Sequence, residues 1–226
     1  RIFPSPDRRG TRLSTKTSQL VSLNDSAMKV TSVTLLKHNG ENTDPFLLGN
    51  AVELSSFGFF QRGTVKEMLV FVSRTICKRT ANGVRQSVAH EEYMGHVYNK
   101  NGVVAIIFCD KEYPARSAFC IVNKVLDDYV GKMGDAWTGV SADSTDGDAV
   151  CQEAIEKYQD PAQADKLLAI QRELDETKVI LHNTIDSVLQ RGEKLDSLVE
   201  KSSDLSMASQ MFYKQARKQN ACCGFM

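Results

Sequence analysis

The spacing of apolar and polar positions changes character along the chain, and each change marks a different kind of structure. Val30 to Lys37 is rich in β-branched and apolar residues, Asn39-Gly40 is a hairpin-turn dipeptide, and Phe46 to Leu54 reads as the partner strand. Thr64-Val65-Lys66-Glu67 then has the S/T-x-x-E form of a capping box, and Val65, Met68, Leu69, Val72 and Ile76 recur on one helical face. Phe71 sits off that stripe and Val70 opposite it. Either these are ordinary exposed apolar residues or they mark a second surface that something covers. Short strands follow around Gln86 to Ala89, Tyr93 to Asn99 and Val103 to Cys109, with Asn101-Gly102 as the last connecting turn. Pro114 can open a helix whose apolar face includes Ala118, Phe119, Val122, Val125, Leu126 and Tyr129. A Gly-, Asp- and Ser-rich loop from Gly134 to Gly147 leads to a shorter helix from Ala149 to Tyr158. This β-β-α-β-β-β-α-α order predicts an α/β domain over residues 28–160, with a five-stranded, mostly antiparallel sheet sandwiched by helices.

Beyond Pro161 the period becomes purely helical. A seam runs Leu167, Ile170, Leu174, Thr177, Leu181, Thr184, Val188, Arg191, Leu195, Leu198, Ser202, Leu205, Ser209, Phe212, Ala216, Gln219. Its alternating steps of three and four are a coiled-coil heptad, which predicts a long helix over residues 161–220. As one rod it spans roughly 80 Å at 1.5 Å per residue, too long to fold back onto the preceding domain without bending or breaking. Arg191 occupies the middle of the seam, and Gly192 beside it is the one glycine before the tail. A buried guanidinium needs acceptors for its fork of donors, and two facing each other would penalise a parallel homodimer. Partner helices bringing neutral acceptors such as Gln satisfy it; the alternative is an arginine that snorkels out of a slightly shifted seam. Thr177, Thr184, Ser202 and Ser209 weaken the seam further, so the segment is expected to order poorly without partners.

Composition removes several function classes. The 226 residues carry 28 basic and 28 acidic side chains, so no global basic field favours nucleic acid. No apolar run approaches the ~18 residues of a membrane span. His38, His90, His96 and His182 show no triad-like or metal spacing, and no phosphate-binding P-loop is present, which argues against an enzyme and against a prenylated GTPase. Cys77, Cys109, Cys120 and Cys151 read as reduced thiols. The terminal Cys222-Cys223-Gly224-Phe225-Met226 places a C-a-a-X prenylation signal after a second cysteine over residues 221–226, and a final Met points to farnesyl on Cys223. One such lipid gives marginal, reversible membrane binding; a second on Cys222 gives a stable anchor. Arg1 to Ala27, rich in Ser, Thr and Arg, has transit-peptide composition; the rival reading is upstream or non-native sequence before a start at Met28, and either predicts disorder.

Val188-Leu189-Gln190-Arg191-Gly192-Glu193-Lys194-Leu195, with Glu173-Leu174-Asp175-Glu176-Thr177 upstream, resembles the SNARE motif of the synaptobrevin-like R-SNAREs, with Arg191 at their central ionic layer. Met28 to Tyr158 is similar to a longin (profilin-like) domain, including Ser55-Ser56-Phe57-Gly58-Phe59-Phe60-Gln61-Arg62 and Asp110-Lys111-Glu112-Tyr113-Pro114. Most longin R-SNAREs end in a transmembrane helix, whereas this chain ends like the prenylated, membrane-recycling member of the group. The resemblance implies a fusion receptor whose helix joins three glutamine-type SNARE helices in a parallel four-helix bundle. It further implies a farnesyl on Cys223, a palmitoyl or second prenyl group on Cys222, and the prenyl- and acyltransferases that attach them. No cofactor beyond these covalent lipids, no small-molecule substrate and no nucleic acid are expected. A cytoplasmic pool would exchange with Golgi, vesicle and endosomal membranes. In the cytosolic form the SNARE segment and lipid would wrap onto the longin domain, with Phe71 and Val70 as the candidate covered surface. The alternative is a lipid-anchored coiled-coil tether without fusion activity; a structural homodimer would prefer an apolar or amide residue where Arg191 stands.

Overall fold

The computed structural model describes residues 29–90, 92–168 and 178–223. Arg1 to Ala27 and the seam positions Ile170, Leu174 and Thr177 lie outside these residues. The strands are β1 (Val30–Lys37), β2 (Phe46–Val52), β3 (Arg85–His90), β4 (Tyr93–Lys100), β5 (Val103–Asp110) and β6 (Val179–His182). The helices are α1 (Arg62–Lys78), α2 (Ala115–Met133), α3 (Asp148–Lys157), α4 (Pro161–Leu168), α5 (Leu195–Lys201) and α6 (Met207–Cys223).

Strand β5 explains the layering. It is apolar at nearly every position, the pattern of a strand covered on both faces. Because successive side chains alternate, Val103, Ala105, Ile107 and Cys109 enter one core while Val104, Ile106 and Phe108 enter another. The first core lies under α2, α3 and α4, with Tyr129 and Leu126 fully buried. The second lies under α1 through Met68, Val72, Ile76 and Cys77. Asn101 (φ 55°) and Gly102 (φ 95°) close the β4–β5 hairpin in the left-handed conformation that a tight primed turn requires.

The sheet order is β2-β1-β5-β4-β3-β6, antiparallel except for the last pair. It has six strands, not the five that the pattern predicts. The sixth comes from the C-terminal segment and pairs in parallel with β3. Leu181 fits the helical seam, but Val179-Ile180 are good strand formers and meet an otherwise open sheet edge. The β1–β2 connection, residues 38–45, is longer than the two-residue turn that Asn39-Gly40 suggests, and is closed by Asn39 Nδ2 donating to the Asp44 carbonyl at 2.8 Å. Helix α1 starts at Arg62, ahead of the expected capping box, and no side chain caps it. Glu67 is thereby left for another use.

The heptad segment is not a single rod here. Its described part is divided into α4, β6, a 3-10 turn over Ile185–Ser187, α5 and α6. It is not waiting for partners either: α1 supplies the apolar surface that orders it.

His96, 1% exposed on β4, packs edge-on to Phe119 and bonds Ser87 Oγ through Nδ1 at 2.9 Å. Burial lowers its pKa to about 4, so the unfolded chain binds a proton more readily than the folded one below the ordinary histidine value of 6.5. This contribution to stability is complete above that value and is lost as pH falls, by about 3 kcal/mol at pH 4. In urea titrations across pH 7.5 to 4, wild type is expected to lose about that much stability relative to His96→Leu; a constant difference would contradict the linkage.

Candidate functional site

The candidate site is the outer face of α1 with the β3 edge, because the heptad segment binds there and buries part of its own seam. At the edge, Arg85, Gln86, Ser87 and Val88 register with Val179, Ile180, Leu181 and His182. His182 Nε2 donates to Gln86 Oε1 at 2.7 Å, and partial burial pushes the ring pKa below its ordinary value. After the 3-10 turn, Ile185, Val188 and Leu189 drop into the second core.

The chain then reverses at Arg191-Gly192. Gly192 has φ 91°, a left-handed backbone that glycine adopts without a side-chain penalty, and Arg191 is exposed on the turn. Glu193 fastens the turn, accepting from the Gln190 N–H at 3.0 Å and from Arg79 Nη2 at 3.1 Å. Helix α5 begins at Leu195, whose N–H would otherwise lack an intrahelical acceptor; Asp186 Oδ1 accepts it at 2.9 Å. Leu195 and Val199 are almost fully buried in the second core, and half-buried Phe71 and Leu198 pack against it.

Polar clasps follow. Arg74 forks between Asp143, on the loop before α3, and Asp204 Oδ2 at 3.3 Å. Val70 lines the same cleft as these residues. Glu67 accepts from the Ser206 N–H at 3.1 Å and from Ser209 Oγ at 2.6 Å, tying α1 to the start of α6. The hydroxyls of Ser209 and Ser206 hold the Glu67 carboxyl below the usual carboxylate range. The clasp therefore favours the wrapped arrangement above the ordinary Glu pKa and loses that contribution as pH falls through the lowered one. Tyr213 donates to Asp196 Oδ1 at 2.8 Å, joining α6 to α5. Between α1 and α6 lies an apolar cavity of about 310 Å³, lined by Phe57, Met68, Leu69, Tyr93, Phe212 and Ala216 among others.

The seam residues do not share one face in this arrangement. Val188, Leu195, Leu205 and Ser209 are buried; Leu198, Ser202, Phe212 and Ala216 are half-buried; Leu181, Thr184 and Arg191 are exposed. Leu167 lies in α4, and Gln219, Cys222 and Cys223 lie in α6. Among the described residues, four buried apolar residues of the second core fall outside the seam: Ile185, Leu189, Val199 and Tyr213. Each directly follows a seam position. That surplus apolar width, broader than a strict coiled-coil stripe, is the signal of a segment that also packs on a globular surface.

Comparison with known proteins follows this division of the chain. A longin model, described as a regulated-SNARE-like domain, matches residues 54–149, and a synaptobrevin model matches residues 166–223. The chain is 60% identical over 196 residues to the VAMP-like protein YKT61 of Arabidopsis thaliana, an alignment covering 87% of this chain and 98% of that protein. The chain belongs to the Ykt6 family of R-SNAREs. It is also 44% identical over 205 residues to the synaptobrevin homolog YKT6 of Saccharomyces cerevisiae, covering 88% and 100% of the two chains. With Schizosaccharomyces pombe ykt6, also called a synaptobrevin homolog, it shares 46% identity over 198 residues, covering 87% and 98%. Membership of the Ykt6 family gives the chain an R-SNARE role in vesicle fusion, with other SNAREs as partners and membranes as the place of action. SNAREs are not enzymes. Among the described residues, no helix is long and apolar enough to cross a membrane.

Proposed function

We propose that this chain is a lipid-anchored R-SNARE that holds its own fusion helix inactive on the longin domain and releases it to three glutamine-type SNARE helices. The observation that carries this reading is the double use of one residue set. Val188, Leu195, Leu205 and Ser209 would form core layers of a parallel four-helix bundle, yet here they are buried on the longin domain. One side chain cannot fill both sites, so wrapping and assembly exclude each other. On this reading residues 28–160 are the regulatory longin domain, 161–220 the R-SNARE motif and 221–226 the lipidated tail. Arg191 would enter the bundle as its ionic layer, accepted by the partners' amides. The remaining seam positions from Leu167 to Gln219 would stack above and below it.

Anchoring would rest on farnesyl at Cys223 and a palmitoyl or second prenyl group at Cys222, attached by prenyl- and acyltransferases, with no further cofactor. The apolar cavity beside Ala216 is a place for such a chain in the wrapped form, since α6 rises only about 10 Å from Ala216 to Cys223. Sheltering the lipid there would give a cytoplasmic pool that exchanges with Golgi, vesicle and endosomal membranes. Cys223→Ser is expected to leave the tail unmodified and the protein off membranes; intact-mass analysis finding a lipid still attached would refute the assignment.

A further inference from the structure

Helix α6 has one face that neither the longin domain nor the seam uses. Phe212, Tyr213 and Ala216 point inward to the cavity and core, and Ser209 bonds Glu67. On the opposite side Met207 and Met211 are 79% and 66% exposed, and Lys214 and Lys218 are exposed as well. These follow one another by four, three and four residues, so they form a single stripe along the helix. Cys222 comes four residues after Lys218, one more step of the same register. None of the four belongs to the heptad seam, so the stripe also faces outward when Ser209, Phe212 and Ala216 are buried among partner helices. Exposed methionine twice on one stripe is unusual for a solvated helix face.

We propose that this stripe is a membrane-contact face, on which α6 lies along an anionic bilayer surface beside the lipidated cysteines. Met207 and Met211 would enter the headgroup–acyl boundary. Lys214 and Lys218 would extend their stems along it and place their ammonium groups among anionic headgroups. Charge supports this occupant over a protein groove: α6 contains no acidic residue, and its basic residues precede the tail directly. In the wrapped form Lys214 is partly occupied, its Nζ lying 2.9 Å from Glu200 Oε1 on α5. Both side chains are more than half exposed, so water competes for the pair and anionic lipid can replace Glu200. In one continuous helix Glu200 would stand roughly 20 Å from Lys214, so unwrapping frees the ammonium for the membrane.

The inference rests on the lipid-anchor reading, and one flotation experiment separates the two. Farnesylated full-length chain would be mixed with vesicles of phosphatidylcholine alone or with about a third phosphatidylserine. Wild type is expected to bind the phosphatidylserine vesicles more tightly. Lys214→Gln/Lys218→Gln should erase that preference, a loss of roughly tenfold or more for two lysines near an anionic surface. Met207→Ser/Met211→Ser should weaken binding to both vesicle types. All four residues are exposed, so thermal unfolding and assembly with partner SNARE helices should stay as in wild type. Stripe variants that carry the lipid yet bind like wild type would overturn the membrane face, and so would variants that bind normally but fail to assemble. Failure of the anchor reading would look different: Cys223→Ser would then float as well as the farnesylated chain.

Discussion

Val199→Asp is expected to detach the heptad segment from α1 while leaving SNARE assembly intact. Val199 is 1% exposed in the second core, so the wrapped state loses about 1.5–3 kcal/mol of apolar burial. A carboxylate desolvated there without a partner adds to that loss. A combined cost of about 3 kcal/mol or more moves the wrapped–unwrapped ratio over a hundredfold. In the bundle the same residue falls just outside the seam, at a flanking position where coiled coils commonly carry charge. Stopped-flow assembly with three glutamine-type helices should therefore accelerate by at least an order of magnitude over wild type. Leu195→Asp is the informative contrast. That residue is buried in the wrapped form and lies on the seam, so this variant should unwrap but assemble poorly. Equal assembly rates for wild type and Val199→Asp would mean that the longin contact does not restrain the helix.

Arg191→Ala is expected to act in the opposite compartment of the cycle. Arg191 is exposed on the Gly192 turn, so unfolding of the lone chain should shift by no more than about 0.5 kcal/mol. In the bundle the substitution would remove charge-assisted hydrogen bonds and leave buried amides unpaired, a loss on the order of 3 kcal/mol, or more than a hundredfold in dissociation constant. Denaturation of the lone chain and calorimetry of the assembled complex give the two numbers. A large effect on the lone chain would place Arg191 in the wrapped contact instead.

Much of this was readable from pattern because the governing interactions are local or periodic. The buried alternation of β5, the Asn101-Gly102 turn and the α1 stripe from Val65 to Ile76 all follow from spacing alone. What was not readable depends on one segment meeting another. Val179 to Leu181 satisfies a helical seam and a strand edge equally well, and only the open side of β3 decides between them. Glu67 fits a capping box, but its carboxylate is taken by Ser206 and Ser209, far along the chain. Leu189 and Tyr213 look like surplus beside the seam until α1 is there to receive them. The heptads describe one set of contacts and the wrapped structure another. Gly192 makes both accessible: as a helix interior it costs about 1 kcal/mol relative to Ala, and as a turn it costs little.

The central claim, that one segment serves two exclusive partners, is tested most directly by hydrogen exchange on the full chain before and after assembly. In the lone chain, amides of Val179–His182 and of α5 should be protected, together with the β3 amides that face β6. After mixing with three glutamine-type helices, residues 179–218 should become more protected still while those β3 edge amides lose protection. Persistent protection of the β3 edge in the assembled complex would contradict the account.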